Sequence, residues 1–402
     1  NLDTWMMGED VCRELFERSA ASADISVIEG VMGLYDGSID SSGDGSSAHL
    51  AKVLNTPVIL VVNVKGAAQS AGAVVMGFRE FDKEVNLAGV ILNNIASESH
   101  YECVKTAIEE SCSVAVLGYL NKDSDITIPE RHLGLIPSEE KKVSSDLYDK
   151  LGQMVIETID TDRLQEIAGS PGDFPDYNKS IFINRDSSLE VTLAIARDSA
   201  FCFYYQDDID LFESMGAEIK LFSPLADKSL PDGIDGIYIG GGFPELFAER
   251  LMKNESMRSS IVEAYKQGAV IYGECGGMMY LLEKLIDCDG RSFKMSSVHN
   301  GTSKMEKRRQ GLGYVIVDVI CDTVISRKGD TFRAHEFHWS GLQDIPESTF
   351  FAYNTMKSNG KRTGVDGICK GNILASYTHI HFSSNPALAK NMLSSMAERV
   401  QI

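Results

Sequence analysis

The fold of the second half of the chain is decided by one short stretch, Tyr272-Gly273-Glu274-Cys275-Gly276-Gly277-Met278-Met279-Tyr280. The apolar run Ala269, Val270 and Ile271 leads into it, and a helical pattern of apolar residues follows it. A strand, a sharp turn and a helix in this order present a side chain at the top of a sheet, beside the first amides of the helix. Those amides and the helix dipole favour a thiolate and stabilise an oxyanion. The pattern therefore predicts that Cys275 is a nucleophile, with a buried structural cysteine as the alternative.

The composition limits what the chain can be. Its 402 residues exceed the size at which a single core stops growing, so we expect two domains. Lys and Arg total 38 against 58 Asp and Glu, and the net charge of −20 opposes binding to nucleic acid and to anionic membranes. No run of about 18 apolar residues occurs, so a membrane span is not expected. Eight cysteines without a CxxC pair fit a reducing cytoplasm better than a disulfide framework or a zinc site.

Short β-rich runs alternate with helical patterns in both halves, which predicts an α/β protein with two mostly parallel sheets. The main strands are predicted at 25–28, 57–64, 87–92 and 114–120, and then at 189–196, 219–222, 236–239, 269–273 and 373–382. A helix is predicted at 207–215, closed by Gly216. We expect two doubly wound domains, at 1–170 and 188–402, joined by a linker at 171–187 that is rich in Pro and Gly.

A cysteine nucleophile needs a base and an oxyanion hole. Successive glycines at Gly241 and Gly242 follow a predicted strand, and they can turn backbone N–H groups toward a developing oxyanion together with the amide of Gly276. A flexible loop is the alternative for this glycine run. The candidate bases are His379 and His381, which strand alternation places on one face, so that either could reach the thiol.

A second site is predicted in the first half of the chain. Glu29 and Asp36 lie on a glycine-rich run after a predicted strand, at the edge where parallel sheets bind ligands. Hard carboxylate oxygens there suit Mg²⁺ bound to nucleotide phosphates, and a solvated acidic turn is the alternative. Asn93 and Asn94 end another predicted strand, where an amide side chain could read a purine edge.

Two further groups of residues have two interpretations each. His335 and His338 are spaced like metal ligands, but the aromatic residues around them predict a strand that places them on opposite faces. Contact with substrate or a structural role is therefore favoured over metal binding. A basic cluster in this acidic chain could pair with a polycarboxylate or form a solvated loop; its members are Lys304, Lys307, Arg308 and Arg309.

The cysteine turn, the glycine run and the terminal histidine segment resemble a class I glutamine amidotransferase domain, which has a flavodoxin-like sheet. The common pattern of that superfamily has Glu two residues after the catalytic His, completing a Cys-His-Glu triad. Here that position is His381. In this departure the chain resembles the cobyric and cobyrinic acid synthase branch, whose members look like enzymes with a Cys-His dyad. By that match His379 is the base, and His381 faces the substrate or lies behind the catalytic residues.

The first half resembles a P-loop-NTPase-like domain related to dethiobiotin synthetase. The whole chain is similar to the family of cobyrinate and Ni-sirohydrochlorin a,c-diamide synthases. The segments that carry this resemblance are 1–3, 29–37, 89–93, 129–135, 196–198, 201–205 and 333–338. The phosphate-binding loop of the family would precede residue 1, and no GxxxxGK[ST] run occurs in the chain. We therefore expect that upstream sequence is missing and that these residues hydrolyse glutamine better than they consume ATP.

The resemblance implies an ATP-dependent, glutamine-hydrolysing ligase that amidates the a and c acetates of a tetrapyrrole polycarboxylate. The substrate is cobyrinate, in cobalamin biosynthesis, or Ni-sirohydrochlorin, in coenzyme F430 biosynthesis for methanogenesis. The resemblance implies that Cys275 and His379 are catalytic and that Gly241, Gly242 and Gly276 form the oxyanion hole. It implies contact with the substrate, or support of residues that contact it, for His381, Tyr314, His335, His338 and Asp3. It also implies nucleotide binding by Asn93 and Asn94 and Mg²⁺ binding by Glu29 and Asp36.

Alternatives remain open beside this interpretation. A related amidotransferase, such as cobyric acid synthase or an isoglutaminyl synthase, has a similar arrangement of domains. A binding protein of the same fold that lacks activity is another alternative. The expected partners are glutamine, ATP and the tetrapyrrole, with no nucleic acid and no membrane, and a homodimer is left open.

Overall fold

The structure is a computed structural model that describes residues 1–38, 43–122, 130–131, 134–135, 145–170, 172–182 and 189–400. It falls into two compact units. The N-terminal unit consists of Phe16–Gly37 and Ser46–Tyr177, and the C-terminal unit consists of Asn1–Leu15, Ser38–Gly45 and Asn178–Ile402. The linker proposed at 171–187 is described only in part, so the domain boundaries stay a prediction.

The helices of the described residues alternate with strands along much of the chain. They are α1 (Thr4–Met7), α2 (Glu9–Ala20), α3 (Ser47–Val53), α4 (Ser70–Phe81), α5 (Glu98–Cys112), α6 (Ser145–Thr158), α7 (Thr161–Ala168), α8 (Gln206–Ser214), α9 (Ala248–Lys253), α10 (Glu255–Lys266), α11 (Gly276–Leu281) and α12 (Pro386–Val400). Short 3₁₀ turns occur at Pro244–Phe247 and Phe382–Ser384. A membrane could not be crossed by any helix in the described ranges, because none is both long and apolar enough.

The strands of the described residues are two to nine residues long. They are β1 (Val58–Asn63), β2 (Leu87–Ile95), β3 (Val116–Asn121), β4 (Glu130–Arg131), β5 (Gly134–Leu135), β6 (Val191–Ala196), β7 (Phe201–Phe203), β8 (Ala217–Phe222), β9 (Gly236–Ile239), β10 (Gly241–Gly242), β11 (Val270–Glu274), β12 (Lys284–Ile286), β13 (Ser292–Lys294), β14 (Thr302–Met305), β15 (Gly311–Val319), β16 (Thr331–His338), β17 (Ser340–Gln343), β18 (Phe350–Met356), β19 (Arg362–Lys370) and β20 (Ile373–Ser376).

The N-terminal unit is built on a parallel sheet with the order β1-β2-β3 in its described part. The strands predicted at 57–64, 87–92 and 114–120 are confirmed as β1, β2 and β3. Residues of β2 that pack into the core, such as Val90 and Leu92, are fully buried. Long apolar strands of this kind are expected where helices cover both faces of a parallel sheet.

The strand predicted at 25–28 was wrong. These residues lie outside the strands of the described structure, and Val27 is 90% exposed. A strand needs a neighbour that pairs with its backbone N–H and C=O groups, and apolar composition alone does not supply one. Glu29 consequently lies within an exposed loop and does not end a strand.

The C-terminal unit has a main sheet with the order β16-β15-β18-β19-β20-β11-β9-β6-β8 in the described residues. The strands from β20 to β8 are parallel to one another, and the strands from β16 to β19 add an antiparallel wing. Strands predicted at 189–196, 219–222, 236–239 and 269–273 are confirmed as β6, β8, β9 and β11, and the predicted helix at 207–215 is α8. The fold class is α/β, as predicted.

The last predicted strand, at 373–382, ends earlier than expected. β20 stops at Ser376, because the carboxylate of Asp366 on β19 binds the next residues. Asp366 accepts hydrogen bonds from the Tyr377 N–H at 3.1 Å, the Thr378 N–H at 2.9 Å and the Thr378 hydroxyl at 2.6 Å. The chain leaves the sheet there and returns as a single bridge between His379 and His335. Strand alternation therefore does not place His379 and His381.

We predict that Asp366→Ala lowers the free energy of unfolding by about 3 kcal/mol, since it leaves buried N–H and O–H donors without an acceptor. Thr378→Val removes only one of the three donors, so its loss should be about 1 kcal/mol. Chemical denaturation of both variants measures the difference. Equal stabilities of Asp366→Ala and the unmodified protein would contradict this account of the segment.

Candidate active site

Cys275 lies on a strained turn between β11 and α11. Its backbone has φ 48° and ψ −101°, a region that residues other than glycine rarely adopt. The Cys275 N–H donates to the Ser376 carbonyl at 2.7 Å, which ties the turn to the end of β20. Strain of this kind persists only where the surrounding structure holds it, and it concentrates at functional sites.

Glycines let the helix after this turn pack directly on the sheet. A Cβ built on Gly277 would lie 1.8 Å from the Ile239 carbonyl oxygen, so no side chain fits there. A Cβ on Gly276 would lie 3.1 Å from the Gly242 nitrogen. The backbones of Gly276 and Gly242, two of the three residues proposed for the oxyanion hole, are therefore neighbours.

The glycine run is a positioned loop. The Gly240 N–H donates to the Tyr204 hydroxyl at 2.8 Å, and Gly241 pairs with Phe203 of β7. A Cβ on Gly241 would lie 2.9 Å from Cε1 of His379. The structure thus brings the proposed oxyanion residues next to the proposed base as well as to the cysteine turn.

His379 is buried between a sulfur and a carboxylate. Its Nδ1 lies 2.8 Å from Oε1 of Glu274, and it also interacts with Cys275. Burial disfavours the charged imidazolium, but the Cys275 sulfur and then the Glu274 carboxylate outweigh it and raise the pKa of His379 to about 10. The imidazolium is therefore the favoured form of His379 at neutral pH.

Glu274 was missed by the sequence analysis, although it precedes the cysteine directly. It is 2% exposed in a strand whose other residues are apolar or glycine apart from Tyr272. A charged residue in a fully buried strand is unusual unless it is paired. This unusual position is the feature of the sequence that could have identified Glu274 as a functional residue. Which group it pairs with depends on the conformation of Cys275, which the sequence does not reveal.

His381 has different surroundings from His379. Its Nδ1 lies 3.1 Å from Oδ1 of Asp208, and its ring packs on Tyr205 with centroids 4.4 Å apart. The side chain is fully buried. His381 therefore faces the α8 side of the unit, whereas His379 faces Cys275.

The strand predicted around His335 and His338 is confirmed as β16, and the two side chains meet different partners. The ring of His335 stacks on that of His379, with centroids 4.7 Å apart and planes 8° apart. Burial and the neighbouring His379 lower the pKa of His335 to about 3, so it is neutral at physiological pH. His338 stacks on Tyr377 and pairs through Nδ1 with the Ser340 carbonyl at 2.8 Å. Across the described residues, no three His, Cys, Asp or Glu side chains are placed to hold a metal ion.

Asp3 and Tyr314 contact each other within the C-terminal unit. Tyr314 donates its hydroxyl to Asp3 at 2.6 Å, and Asp3 also caps α1 by accepting from the N–H groups of Trp5 and Met6. Burial raises the pKa of the Asp3 carboxyl. The rings of Trp5 and Tyr314 stack 4.4 Å apart. These contacts hold the first helix in place, and a role in substrate binding stays a prediction for both residues.

In the N-terminal unit the asparagines gather at the carboxyl edge of the parallel sheet. Asn94 donates through Nδ2 to Oδ1 of Asn63 at 3.1 Å, and its own N–H donates to Oδ1 of Asn93. Parallel strands present their carboxyl ends at one edge, so β1 and β2 bring these amides together. Nucleotide binding there stays a prediction.

Glu29 and Asp36 lie on an exposed loop of the N-terminal unit. Asp36 closes a tight turn by donating its N–H to the Gly33 carbonyl at 2.9 Å. Mg²⁺ that carries nucleotide phosphates commonly uses only one or two protein carboxylates and keeps waters. The donor chemistry of these two side chains fits such an ion, whereas a closed cage of protein ligands is not present in the described residues.

One member of the basic cluster, Arg309, packs on an aromatic residue whose backbone lies near the nucleophile. The Arg309 guanidinium lies over Phe337 at 5.7 Å and over Trp339 at 5.9 Å, and the Phe337 carbonyl oxygen lies 4.0 Å from the Cys275 sulfur. Lys304 lies 3.7 Å from Glu306. Among the segments that carry the family resemblance, positions 129, 132 and 133 lie outside the described residues.

Comparison with known protein families divides the chain in a similar way. Residues 192–387 match the model of the CobB/CobQ-like glutamine amidotransferase domain. Residues 6–130 match the model of an AAA domain. The first match contains Cys275 and His379, and the second contains Glu29, Asp36 and the asparagine edge.

Three similar curated proteins from different organisms have the same name. Cobyrinate a,c-diamide synthase of Listeria monocytogenes is 44% identical over 98% of this chain and 87% of the relative. The protein of that name from Caldanaerobacter subterraneus is 41% identical over 95% of this chain and 83% of the relative. One from Methanothermobacter thermautotrophicus is 39% identical over 97% and 86%. Among solved structures, PurLQS from Thermotoga maritima aligns at 16% identity with a TM-score of 0.37, over 52% of this chain and 99% of that chain, a likeness too weak to indicate a function.

We predict that Gly277→Ala destabilises the C-terminal unit, because its Cβ would overlap a backbone carbonyl that cannot move aside without disturbing β9. The expected loss is about 3 kcal/mol, at the upper end for overpacking. Gly341→Ala is the matched control, since a Cβ there meets nothing within 4 Å. Thermal unfolding of both variants tests this, and equal melting temperatures would show that the turn is not packed as described.

Proposed function

Because the chain belongs to the cobyrinate a,c-diamide synthase family, and is therefore a glutamine-hydrolysing carbon–nitrogen ligase, we propose that it amidates the a and c acetates of cobyrinate. One observation carries the glutaminase part of the proposal. His379 interacts with Cys275 on one side and with Glu274 on the other, inside a buried site. This is the arrangement of a cysteine nucleophile with an oriented base.

In the proposed glutaminase reaction, the Cys275 sulfur attacks the carboxamide carbon of glutamine. Since Nδ1 of His379 faces Glu274, Nε2 is the nitrogen that holds the thiol proton. The amides of Gly241, Gly242 and Gly276 stabilise the tetrahedral oxyanion. The imidazolium gives its proton to the departing nitrogen, and ammonia leaves a γ-glutamyl thioester on the sulfur. Water then hydrolyses that thioester to glutamate, and His379 acts again as base and acid.

The pKa of His379 suits its role as the acid in this reaction. Because that pKa is raised to about 10, the ring carries its proton at neutral pH. The proton that ammonia needs is already on the ring, so no separate acid is required.

The proposed ligase reaction takes place in the N-terminal unit. ATP phosphorylates a peripheral carboxylate, which converts a poor acyl group into an acyl phosphate with a good leaving group. Ammonia attacks the acyl carbon and phosphate departs. The match of residues 6–130 to an AAA domain supports nucleotide binding in this unit.

The side chains proposed for this unit fit these roles chemically. Asn93 and Asn94 would contact the purine, at the sheet edge where α/β proteins bind ligands. Glu29 and Asp36 would hold Mg²⁺, which when bound neutralises charge on the nucleotide phosphates.

The proposed substrate is a tetrapyrrole that carries several carboxylates. The basic cluster offers counter-charges in an otherwise acidic chain, and Arg309 is held in place by Phe337 and Trp339. Tyr314, Asp3, His335, His338 and His381 are proposed to contact the substrate or to support residues that do. Cobyrinate is favoured over Ni-sirohydrochlorin because the curated relatives named above are all cobyrinate a,c-diamide synthases.

The state of the cysteines supports a location in the reducing cytoplasm. None of the eight cysteines, all of which lie in the described residues, forms a disulfide bond, although several are only partly buried or exposed. A homodimer remains a further proposal, and size measurement of the protein in solution would decide it.

The test is an assay of the chain with cobyrinate, MgATP and glutamine labelled with ¹⁵N in its amide, read by mass spectrometry of the product. We expect products that carry two labelled amides, formed more slowly than glutamine is hydrolysed. Cys275→Ala should abolish glutamine hydrolysis and labelling from glutamine while sparing amidation from ammonium chloride. Cys288→Ala, an exposed cysteine of the same unit, is the matched control and should keep both activities.

Three results would count against the proposal. Glutamine hydrolysis by Cys275→Ala at the rate of the unmodified protein would show that Cys275 is not the nucleophile. Loss of ammonia-dependent amidation in the same variant, with the fold intact, would contradict two separate reactions. Labelled amides on Ni-sirohydrochlorin with none on cobyrinate would reassign the substrate.

A further inference from the structure

We propose that Glu274 is a positioning residue for His379, so that the glutaminase centre is a Cys-His-Glu triad whose acid directly precedes its nucleophile. This inference rests on the proposed glutamine hydrolysis by Cys275. Glu274 touches neither the sulfur nor the substrate in this scheme. It acts through the imidazole, by fixing which ring nitrogen carries the proton and by stabilising the positive charge on the ring.

The distance and the burial of the pair support this role. Oε1 of Glu274 lies 2.8 Å from Nδ1 of His379, and the two side chains are 3% and 8% exposed. A charge-assisted hydrogen bond of this length is about twice as strong as a neutral one, and burial protects it from screening by salt. With Nδ1–H donated to Glu274, Nε2 is free to take the thiol proton.

The conformation of Cys275 explains how two consecutive side chains reach one ring. In an extended strand, neighbouring side chains point to opposite faces of the sheet. Glu274 is the last residue of β11 and pairs with Ser376 of β20. The positive φ of Cys275 ends the alternation at that point. The Cys275 side chain interacts with the same imidazole that the carboxylate holds.

The other oxygen of Glu274 has its own partners. Oε2 accepts hydrogen bonds from the Tyr272 hydroxyl at 3.0 Å and from the Tyr238 hydroxyl at 3.4 Å. A buried carboxylate without such donors would be costly by several kcal/mol. The two tyrosines therefore hold the carboxylate in place and leave Oε1 for His379.

Two other buried acids near this segment, Asp366 and Asp208, have hydrogen-bond partners other than His379. Asp366 accepts from the N–H groups of Tyr377 and Thr378 and from the Thr378 hydroxyl. Asp208 faces His381 and accepts from the N–H of Ser383. The position two residues after His379 is itself a histidine, so it cannot supply a carboxylate. Glu274 is thus the acid that the described structure places on the base.

The experiment measures how Cys275 reacts with iodoacetamide as a function of pH, with peptide mass spectrometry to separate Cys275 from the other cysteines. Glu274→Gln keeps the shape of the side chain and removes its charge. The imidazolium is then less stable, the thiol gives up its proton less readily, and thiolate appears at higher pH. We expect the alkylation midpoint to rise by about one pH unit or more, and kcat for glutamine hydrolysis to fall by about 10² to 10⁴.

Two further variants separate positioning from a general structural effect. Glu274→Asp keeps the charge but withdraws it from the ring, so its midpoint should lie between those of the unmodified protein and Glu274→Gln. Asp208→Asn removes a buried carboxylate next to the other histidine, His381, and should leave the Cys275 midpoint in place. A merely structural role of Glu274 would change stability without moving that midpoint.

The outcomes are distinguishable from failure of the proposed function. A folded Glu274→Gln protein whose alkylation midpoint and kcat are both unchanged overturns the inference about Glu274. The proposed function still stands in that case if the unmodified chain hydrolyses glutamine. If Glu274→Gln does not fold, the midpoint of Glu274→Asp decides, and an unshifted value overturns the inference. If the unmodified chain does not hydrolyse glutamine, the proposed function fails, and the alkylation profiles still show whether Glu274 controls the Cys275–His379 pair.

Discussion

The hydrogen bond from the Cys275 N–H to the Ser376 carbonyl holds the two halves of the candidate active site in register. It extends the parallel ladder between β11 and β20 by one residue, beyond the pair of Glu274 and Ser376. The nucleophile stands at the end of one strand, and the histidine segment starts at the end of the other. Without this bond the strained backbone of Cys275 would lose its attachment to β20, and the distance from sulfur to imidazole would no longer be fixed.

Close packing of backbone on backbone makes the rest of the site possible. Gly277 lets α11 approach β9, and Gly276 lies against Gly242 because neither has a side chain. Asp366 then draws the chain out of β20 and directs His379 toward the cysteine turn. The polar groups that direct the histidine segment are buried, so each of them costs free energy unless it has a hydrogen-bond partner. The hydrogen bonds among these groups therefore favour this one arrangement of the segment.

Local patterns in the sequence predicted the parts of this structure that depend on local interactions. The strand, turn and helix around Cys275 and the core strands of both units followed from apolar runs and glycine positions. The strand predicted at 25–28 was wrong, because a strand depends on a neighbour that pairs with it. The end predicted at 382 was also wrong, because the strand stops at Ser376 under the influence of a carboxylate ten residues away in the chain. Glu274 was missed for a similar reason, since its partner is 105 residues distant. The sequence reveals which residues can react, and tertiary contacts decide which of them meet.

The adjacency of Glu274 and Cys275 restricts how this site can be switched on and off. Both are anchored in the same rigid strand end, so no shift of that strand can separate the acid from the sulfur. The imidazole is the only one of the three groups on an independent arm, attached to the sheet through Asp366 and to β16 through its bridge with His335. A change that uncouples these three groups would therefore have to move the histidine segment, since the end of β11 carries the other two together.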